Sequence, residues 1–414
     1  MIKRFIVIVA LLSTVLTAAQ EGNSSPYSYY GIGLTKFRGT VENQSMGGLT
    51  VFSDSIHLNL RNPASYGKLK LTTYSVGGSL TSTNLKSEDN SGSARNVSFD
   101  YLAIGIPTGK LNFGFGLIPY TSVGYRILEE SENASNRYTG RGGMNKVYLT
   151  TAYSFTPGLS VGVDLNYNFG NVQNKFTALQ RGVQYGTRVI NRTDLRGFNL
   201  DLGVDYQTNI SNKLRLYTAA TYTPEMDITT ERMRNTATVV TNSQGGEAIA
   251  AESNLSFPET SVGLPSQYTM GLGVGRPNHW FVGGEYTNLQ ASNFDLDTGL
   301  NNLNYFYGDA AQYRLGGFYV PEYTSLTSYI NRIVYRAGLR YEETGLNVNN
   351  EGINEFGISF GLGLPVGANF SNANIGFEYG QRGTTNSGLI KENFFKLSLS
   401  LSLNDRWFVQ SRFD

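Results

Sequence analysis

The last strand-like stretch of the chain alternates without a break. Phe395, Leu397, Leu399, Leu401 and Leu403 share one parity, and Lys396, Ser398, Ser400 and Ser402 share the other. Successive side chains of a strand point to opposite faces, so this segment has one apolar face and one polar face. One such strand could edge a water-exposed sheet. Here the pattern recurs. Leu159, Val161, Val163, Leu165, Tyr167 and Phe169 oppose Ser160, Gly162, Asp164, Asn166 and Asn168. Phe198, Leu200, Leu202, Val204 and Tyr206 oppose Asn199, Asp201, Gly203 and Asp205. Phe356, Ile358, Phe360, Leu362 and Leu364 oppose Glu355, Gly357, Ser359, Gly361 and Gly363.

About fourteen such strands fit between residues 69 and 404, and their connections sort into two kinds. Tight turns are expected at Pro107–Lys110, Pro157–Gly158, Ser211–Asn212 and Arg276–Asn278, with a longer one near 365–371. Long polar loops are expected between them, near 84–93, 129–142, 171–193, 233–261 and 291–308. Short turns on one side, long loops on the other and apolar-out strands define a transmembrane antiparallel β-barrel. The parity puts both termini on the short-turn, periplasmic side of an outer membrane, with membrane lipid against the apolar face. The connection from Val320 to Arg332 breaks the rule by its length, and a short helix capped by Thr324 or Ser325 fits there.

Composition agrees. Mean hydropathy is −0.25, too polar for a helical membrane protein but natural for a barrel, where only alternate residues meet lipid. Residues 1–19 read as a secretory signal peptide, with Lys3 and Arg4 before an apolar core and Thr17–Ala18–Ala19 as the cleavage site. The chain has no cysteine, which removes disulfides, thiolate metal sites and lipid attachment at the mature N-terminus. Lys and Arg number 33 against 32 Asp and Glu, so no nucleic-acid partner is implied. Residues 20–68 lack a strand period. Rich in Gly, Ser and Asn with scattered aromatics, they read as a compact segment packed inside something larger.

No catalytic set emerges, and an enzyme is not expected. His57 and His279 lie far apart in sequence without metal-ligand spacing, so neither metal nor cofactor is expected. The inward parity instead gathers charges in the lumen: Asp164, Asp201, Asp205, Arg215, Glu285, Arg314, Arg332, Arg336, Arg340 and Glu378. These should pair with one another and with the N-terminal segment. Strand three carries Pro119 between Ile118 and Tyr120. Proline cannot donate to the ladder, so the strand should kink there and open the wall.

Gly47–Gly48, Asp54–Ser55 and Asn62–Pro63–Ala64, in that order just before the first strand, resemble the N-terminal signature of the FadL-type, long-chain fatty acid transporter family of outer-membrane proteins. The resemblance implies fourteen strands, a lumen closed by an N-terminal hatch (20–68), and a barrel over 69–404. It implies a hatch-to-barrel turn at Asn62, Pro63 and Ala64, and lateral release of a hydrophobic small molecule at Ile118, Pro119 and Tyr120. It also implies that the aromatic C-terminal end, Trp407, Phe408 and Phe413, is read by the barrel-insertion machinery during biogenesis. Residues 405–414 should form a periplasmic aromatic-basic tail. Transport of fatty-acid-like or aromatic molecules is the first expectation. Some FadL-like barrels are instead accessory subunits of outer-membrane secretion or assembly complexes, and the 320–332 connection and the tail would suit an outer-membrane or periplasmic protein partner.

Overall fold

A computed structural model describes residues 22–241, 246–290, 304–366 and 371–407. The expected signal peptide, the 291–303 part of one expected loop and most of the expected C-terminal tail fall outside these.

Fourteen antiparallel strands form one closed barrel. In chain order they are β1 (Thr72–Lys86), β2 (Ser91–Pro107), β3 (Leu111–Pro119, resuming at Thr121–Glu130), β4 (Ala134–Ser154), β5 (Leu159–Gln180), β6 (Gly186–Asn209) and β7 (Arg215–Thr223, resuming at Met226–Thr241). Then follow β8 (Glu247–Ser256, Thr260–Leu264 and Ser266–Arg276), β9 (Trp280–Gln290), β10 (Tyr305–Tyr307 and Ala310–Tyr319), β11 (Val334–Val348), β12 (Glu351–Val366), β13 (Ser371–Arg382) and β14 (Lys391–Asp405). The ring closes where β1 pairs with β14 from Thr72↔Asp405 to Lys86↔Lys391. Lipid offers no hydrogen bonds, so a spanning sheet is stable only when its two edges meet in this way.

The alternation sets which face is which. Leu399, Leu401 and Leu403 of β14 are exposed, while Ser398, Ser400 and Ser402 are buried. The same split holds on β5, with Val163, Leu165 and Tyr167 exposed and Asp164, Asn166 and Asn168 buried. The apolar residues thus face lipid and the polar ones face the lumen, the inverse of a water-soluble core.

One rim carries the tight turns. Gly109 takes φ +113° and Asn278 φ +60°, left-handed conformations favoured by Gly and Asn, which let the chain reverse in two to four residues. The opposite rim differs from the sequence reading. Most of the expected long loops are continuations of the strands: β4 starts at Ala134, β5 reaches Gln180, β6 starts at Gly186, and β7 and β8 pair from Met233↔Ser256 to Thr241↔Glu247. In these extensions the strict alternation of apolar with polar residues lapses while the pairing continues, and residues such as Val172, Asn191 and Val239 still bury one face. The Val320–Arg332 connection holds no helix at Thr324. It carries a 3-10 turn at Ile330–Arg332.

Inside the cylinder lies the segment from Gly22 to Leu71. Its partners come from strands all round the wall: Gln44 bonds Glu378 of β13 and Ser398 of β14, Thr50 bonds Glu285 of β9, and Ser53 bonds Asp205 of β6. Leu399 sits at the centre of the exposed apolar row of β14. Leu399→Arg should cost about 2–4 kcal/mol, as cations do at the bilayer midplane, read as a lower urea midpoint for the refolded barrel in lipid vesicles. Leu399→Ile should leave the midpoint nearly unchanged.

Candidate functional site in the lumen

The inner segment is locally well specified. Thr40 caps the one-turn helix α1 (Val41–Gln44), its Oγ1 accepting from the Asn43 amide at 3.4 Å. Gly47 and Gly48 then turn the chain with φ +70° and +86°. Here the segment touches the wall backbone to backbone: a Cβ on Gly338 of β11 would lie 2.1 Å from the Gly47 nitrogen, and one on Gly316 of β10 2.4 Å from the Met46 oxygen. Only glycines on the wall side allow that approach. Asn62, Pro63 and Ala64 are all buried. The Asn62 Oδ1 accepts from the Ala64 amide at 3.0 Å and starts the 3-10 turn Pro63–Lys68. This turn seats against Gly162 of β5 and Gly203 of β6 and leads into β1.

The lumen charges form separate clusters, each tied to the inner segment or to a wall cation. Glu285 accepts from the Thr50 amide and hydroxyl, both at 2.7 Å, and pairs with Arg314 at 2.9 Å and Arg61 at 3.8 Å. Glu378 binds Gln44 at 2.7 Å and Arg340 at 2.7 Å. Arg340 also binds Glu355, which binds Arg382, which reaches Glu392 at 3.1 Å; Glu392 accepts from Ser25. Asp205 accepts from Ser53 at 2.5 Å and lies 3.5 Å from Lys68. Asp201 pairs with Lys146 at 3.1 Å, and Asp164 accepts from Thr150 at 2.5 Å. Arg336 donates to Asn374 at 3.1 Å, and Asn374 in turn donates to Glu42 at 2.8 Å. Two expected members stand apart. Arg215 bonds Asn209 at 3.2 Å near the short-turn rim. Arg332 lies in the 320–332 connection, its guanidinium stacked on the Tyr329 ring at 5.3 Å from the centroid.

Sequence reading missed Lys146, Arg61, Arg382 and Glu392. Lys146 and Glu392 sit at inward parity and could have been found from it. Arg61 belongs to the irregular segment, where no period marks direction.

The third strand breaks where proline predicted. β3 pairs with β2 only from Leu102↔Leu117 to Pro107↔Asn112. Beyond Pro119 it keeps its pairing to β4 but leaves β2, and it bonds inward to the two-residue strand Leu34–Thr35 at Ser122 and Thr121. Ile118 is buried beside Tyr66, Tyr101 and Tyr148, and Tyr120 stacks under Arg38 at 5.0 Å. The resulting slot between β2 and the upper half of β3 is bridged by the start of the inner segment. Asn96 of β2 donates to the Gly22 carbonyl at 3.2 Å, and Asn23 donates to the Ser122 carbonyl at 3.3 Å.

Behind the slot lies an apolar cluster of Val123, Tyr125, Met144, Val172, Leu195, Ile228, Val262 and Leu264. The inner segment fills it with Ile32 and packs Tyr29 against it, 5.0 Å from the Tyr125 ring. The neighbouring cavity, about 250 Å³, is lined by Lys36, Arg38, Arg61, Arg314, Arg340 and Glu355 among others. A second cavity of about 960 Å³ opens at the short-turn rim under the inner segment. There the His57 Nδ1 lies 2.6 Å from Asp54, whose other oxygen accepts from the Ile56 and His57 amides at 2.9 and 2.8 Å.

This arrangement defines a class of protein: an outer-membrane β-barrel of the FadL-type fold, fourteen strands round an inward-folded N-terminal segment. Solved structures with this architecture include the Pseudomonas putida toluene transporter TodX, at 14% identity and TM-score 0.63, covering 90% of this chain and 100% of that one. The Ralstonia pickettii toluene transporter TbuX matches at 15% identity and TM-score 0.58, covering 89% and 99%. A Pseudomonas aeruginosa FadL homologue matches at 10% identity and TM-score 0.56, covering 90% and 98%. No curated protein matches the sequence. The family model described as BamG matches residues 1–414, and the chain belongs to that family.

Two outcomes test the site. Glu285→Ala leaves Arg314 and Arg61 buried without their carboxylate, a loss of about 3–5 kcal/mol by the usual cost of breaking a buried pair. Hydrogen exchange at residues 46–52 should rise sharply while exchange in the wall strands holds. At the rim, burial opposes both charges of the Asp54–His57 pair, but their attraction wins, holding the Asp54 carboxyl below and the His57 imidazole above their ordinary values. The pair therefore strengthens the local fold above the ordinary carboxylate range and stops doing so as pH rises through the raised His57 value. Exchange protection of amides 56–57, corrected for intrinsic rates, should fall across that alkaline step, and His57→Ala should abolish the step.

Proposed function

We propose that this protein is an accessory subunit of an outer-membrane assembly complex, with the short-turn rim and both termini in the periplasm. One observation carries this reading. The apolar cluster behind the β3 slot, where a hydrophobic ligand passing that slot would sit, is already packed by Tyr29 and Ile32 of the protein's own inner segment. The slot beside β3 is bridged from within by Gly22 and Asn23, and the cavity beside that cluster is lined by charges. Such an interior suits a stable body that presents surfaces better than a conduit. The family name, BamG, hints at the Bam machinery, which favours barrel insertion as the process served. Residues 22–68 are then a fixed plug, Asn62–Ala64 its anchor to the wall, and the lumen charges its fastening.

A second reading is favoured by the break at Pro119 and by the likeness in fold to TodX and TbuX, which are toluene transporters. In it, hydrophobic molecules displace Tyr29 and Ile32 and leave sideways past Ile118, Pro119 and Tyr120.

Mass spectrometry of the tagged protein, extracted in mild detergent from its own outer membrane, separates the two. The accessory reading expects stoichiometric protein partners, including barrel-insertion components, and no hydrophobic ligand. A barrel that leaves the membrane alone and carries fatty acids or aromatic hydrocarbons would sink it in favour of transport.

A further inference from the structure

The 320–332 connection is far longer than its neighbours on the same rim, yet it is not a slack loop. Glu322 donates its amide to the Asn331 carbonyl at 2.8 Å, closing the base of the excursion. The Ser325 amide bonds the Glu322 carbonyl at 3.2 Å, and Ser325 itself is buried. The Tyr329 hydroxyl donates to the Pro365 carbonyl of β12 at 3.1 Å, and the Arg332 guanidinium stacks on the Tyr329 ring. This bracing, in which Tyr329 is itself engaged, holds two apolar side chains away from the protein: Leu326 is 99% exposed and Ile330 65%. A connection that only had to reverse the chain needs neither the length nor the bracing.

The same connection borders the open cavity at this rim. Val320 and Tyr323 line it, as do Val334 and Arg336 just beyond. The cavity is about 960 Å³, and its charges are unbalanced: Lys68, Lys70, Lys110, Arg215 and Arg336 face Glu42 and Asp54, five cations to two carboxylates. Asp205 offsets Lys68, which leaves four to two. Lys70 and Lys110 are exposed. A recess with low-dielectric walls and an excess of one sign of charge concentrates its field on whatever enters.

We propose that the rim loop and this recess together form a docking surface for an acidic segment of a periplasmic protein. Its carboxylates enter the recess towards Lys70, Lys110 and Arg215, and an apolar side chain beside them packs on Leu326 and Ile330. The proposal rests on the accessory reading and its periplasmic placement of the short-turn rim. Charge complementarity selects the occupant. The recess lies inside the ring of strands and under the plug, whereas lipid of the inner leaflet lies outside the wall. An anionic headgroup would have to leave the bilayer to reach it, but a peptide arriving from the periplasm would not. An apolar contact beside complementary charge is also the usual build of a protein interface, with a buried anchor and a polar surround.

The test uses the full chain in living cells. Leu326→p-benzoylphenylalanine should give, on irradiation, a discrete protein adduct whose cross-linked peptide is rich in Asp and Glu. Lys70→Glu with Lys110→Glu should lower the yield of that adduct at least tenfold, while the barrel still assembles and runs as a folded band on unheated gels. An adduct with lipid only, an adduct with a basic peptide, no adduct, or a yield unchanged by charge reversal would each overturn the proposal. Labelling of Leu326→Cys on intact cells by a membrane-impermeant maleimide would overturn it as well, because the loop would then face outside. If partners still leave the membrane with the barrel at unchanged stoichiometry while position 326 yields nothing, the docking surface falls and the accessory reading stands. If the barrel leaves alone, the accessory reading itself falls.

Discussion

Everything in this protein follows from the absence of hydrogen-bonding solvent in the bilayer core. A sheet edge there is unsatisfied along its whole length, so the first strand must find the last. The fifteen-residue pairing of Thr72–Lys86 with Lys391–Asp405 does this, across more than three hundred residues of chain. Once the ring is closed, the two-residue period has no freedom left. Leu399 must face lipid if Ser398 and Ser400 face the lumen, and a slip of one residue would reverse every side chain of the strand.

Closure also creates the second problem, a polar interior cut off from bulk water. Glu285, Arg314, Arg340, Glu355 and Glu378 are held in an enclosed space where an unpaired charge is costly. The inner segment meets part of that demand. Its Thr50, Gln44 and Arg61 supply partners the wall lacks. The fit depends on small residues on both surfaces, above all Gly47 against Gly338, where backbones touch. The interior is thus a polar interface rather than a hydrophobic core, with apolar packing confined to a few clusters such as that around Ile32.

The broken third strand is where these demands compete. Pro119 ends the ladder to β2, and the strand turns inward to pair with Leu34–Thr35 instead. The wall loses hydrogen bonds on one side and the inner segment gains them on the other. Gly22 and Asn23 then bridge the gap. The break is thus stitched to the protein's own N-terminal segment.

The sequence by itself determined the barrel, the strand count, the lipid-facing parity and the place of the break, because each is written in a local pattern: alternation, turn residues, one proline. It also gathered most of the lumen acids and arginines, since inward parity is a property of the strand. It did not reveal that much of the expected loops at 171–193 and 233–261 is paired strand, because there the apolar residues no longer alternate strictly with polar ones. It could not give the partners of Glu285 or Glu378, or the filling of the apolar cluster by Tyr29 and Ile32. Those contacts join residues hundreds of positions apart, across a space that exists only after the ring has closed.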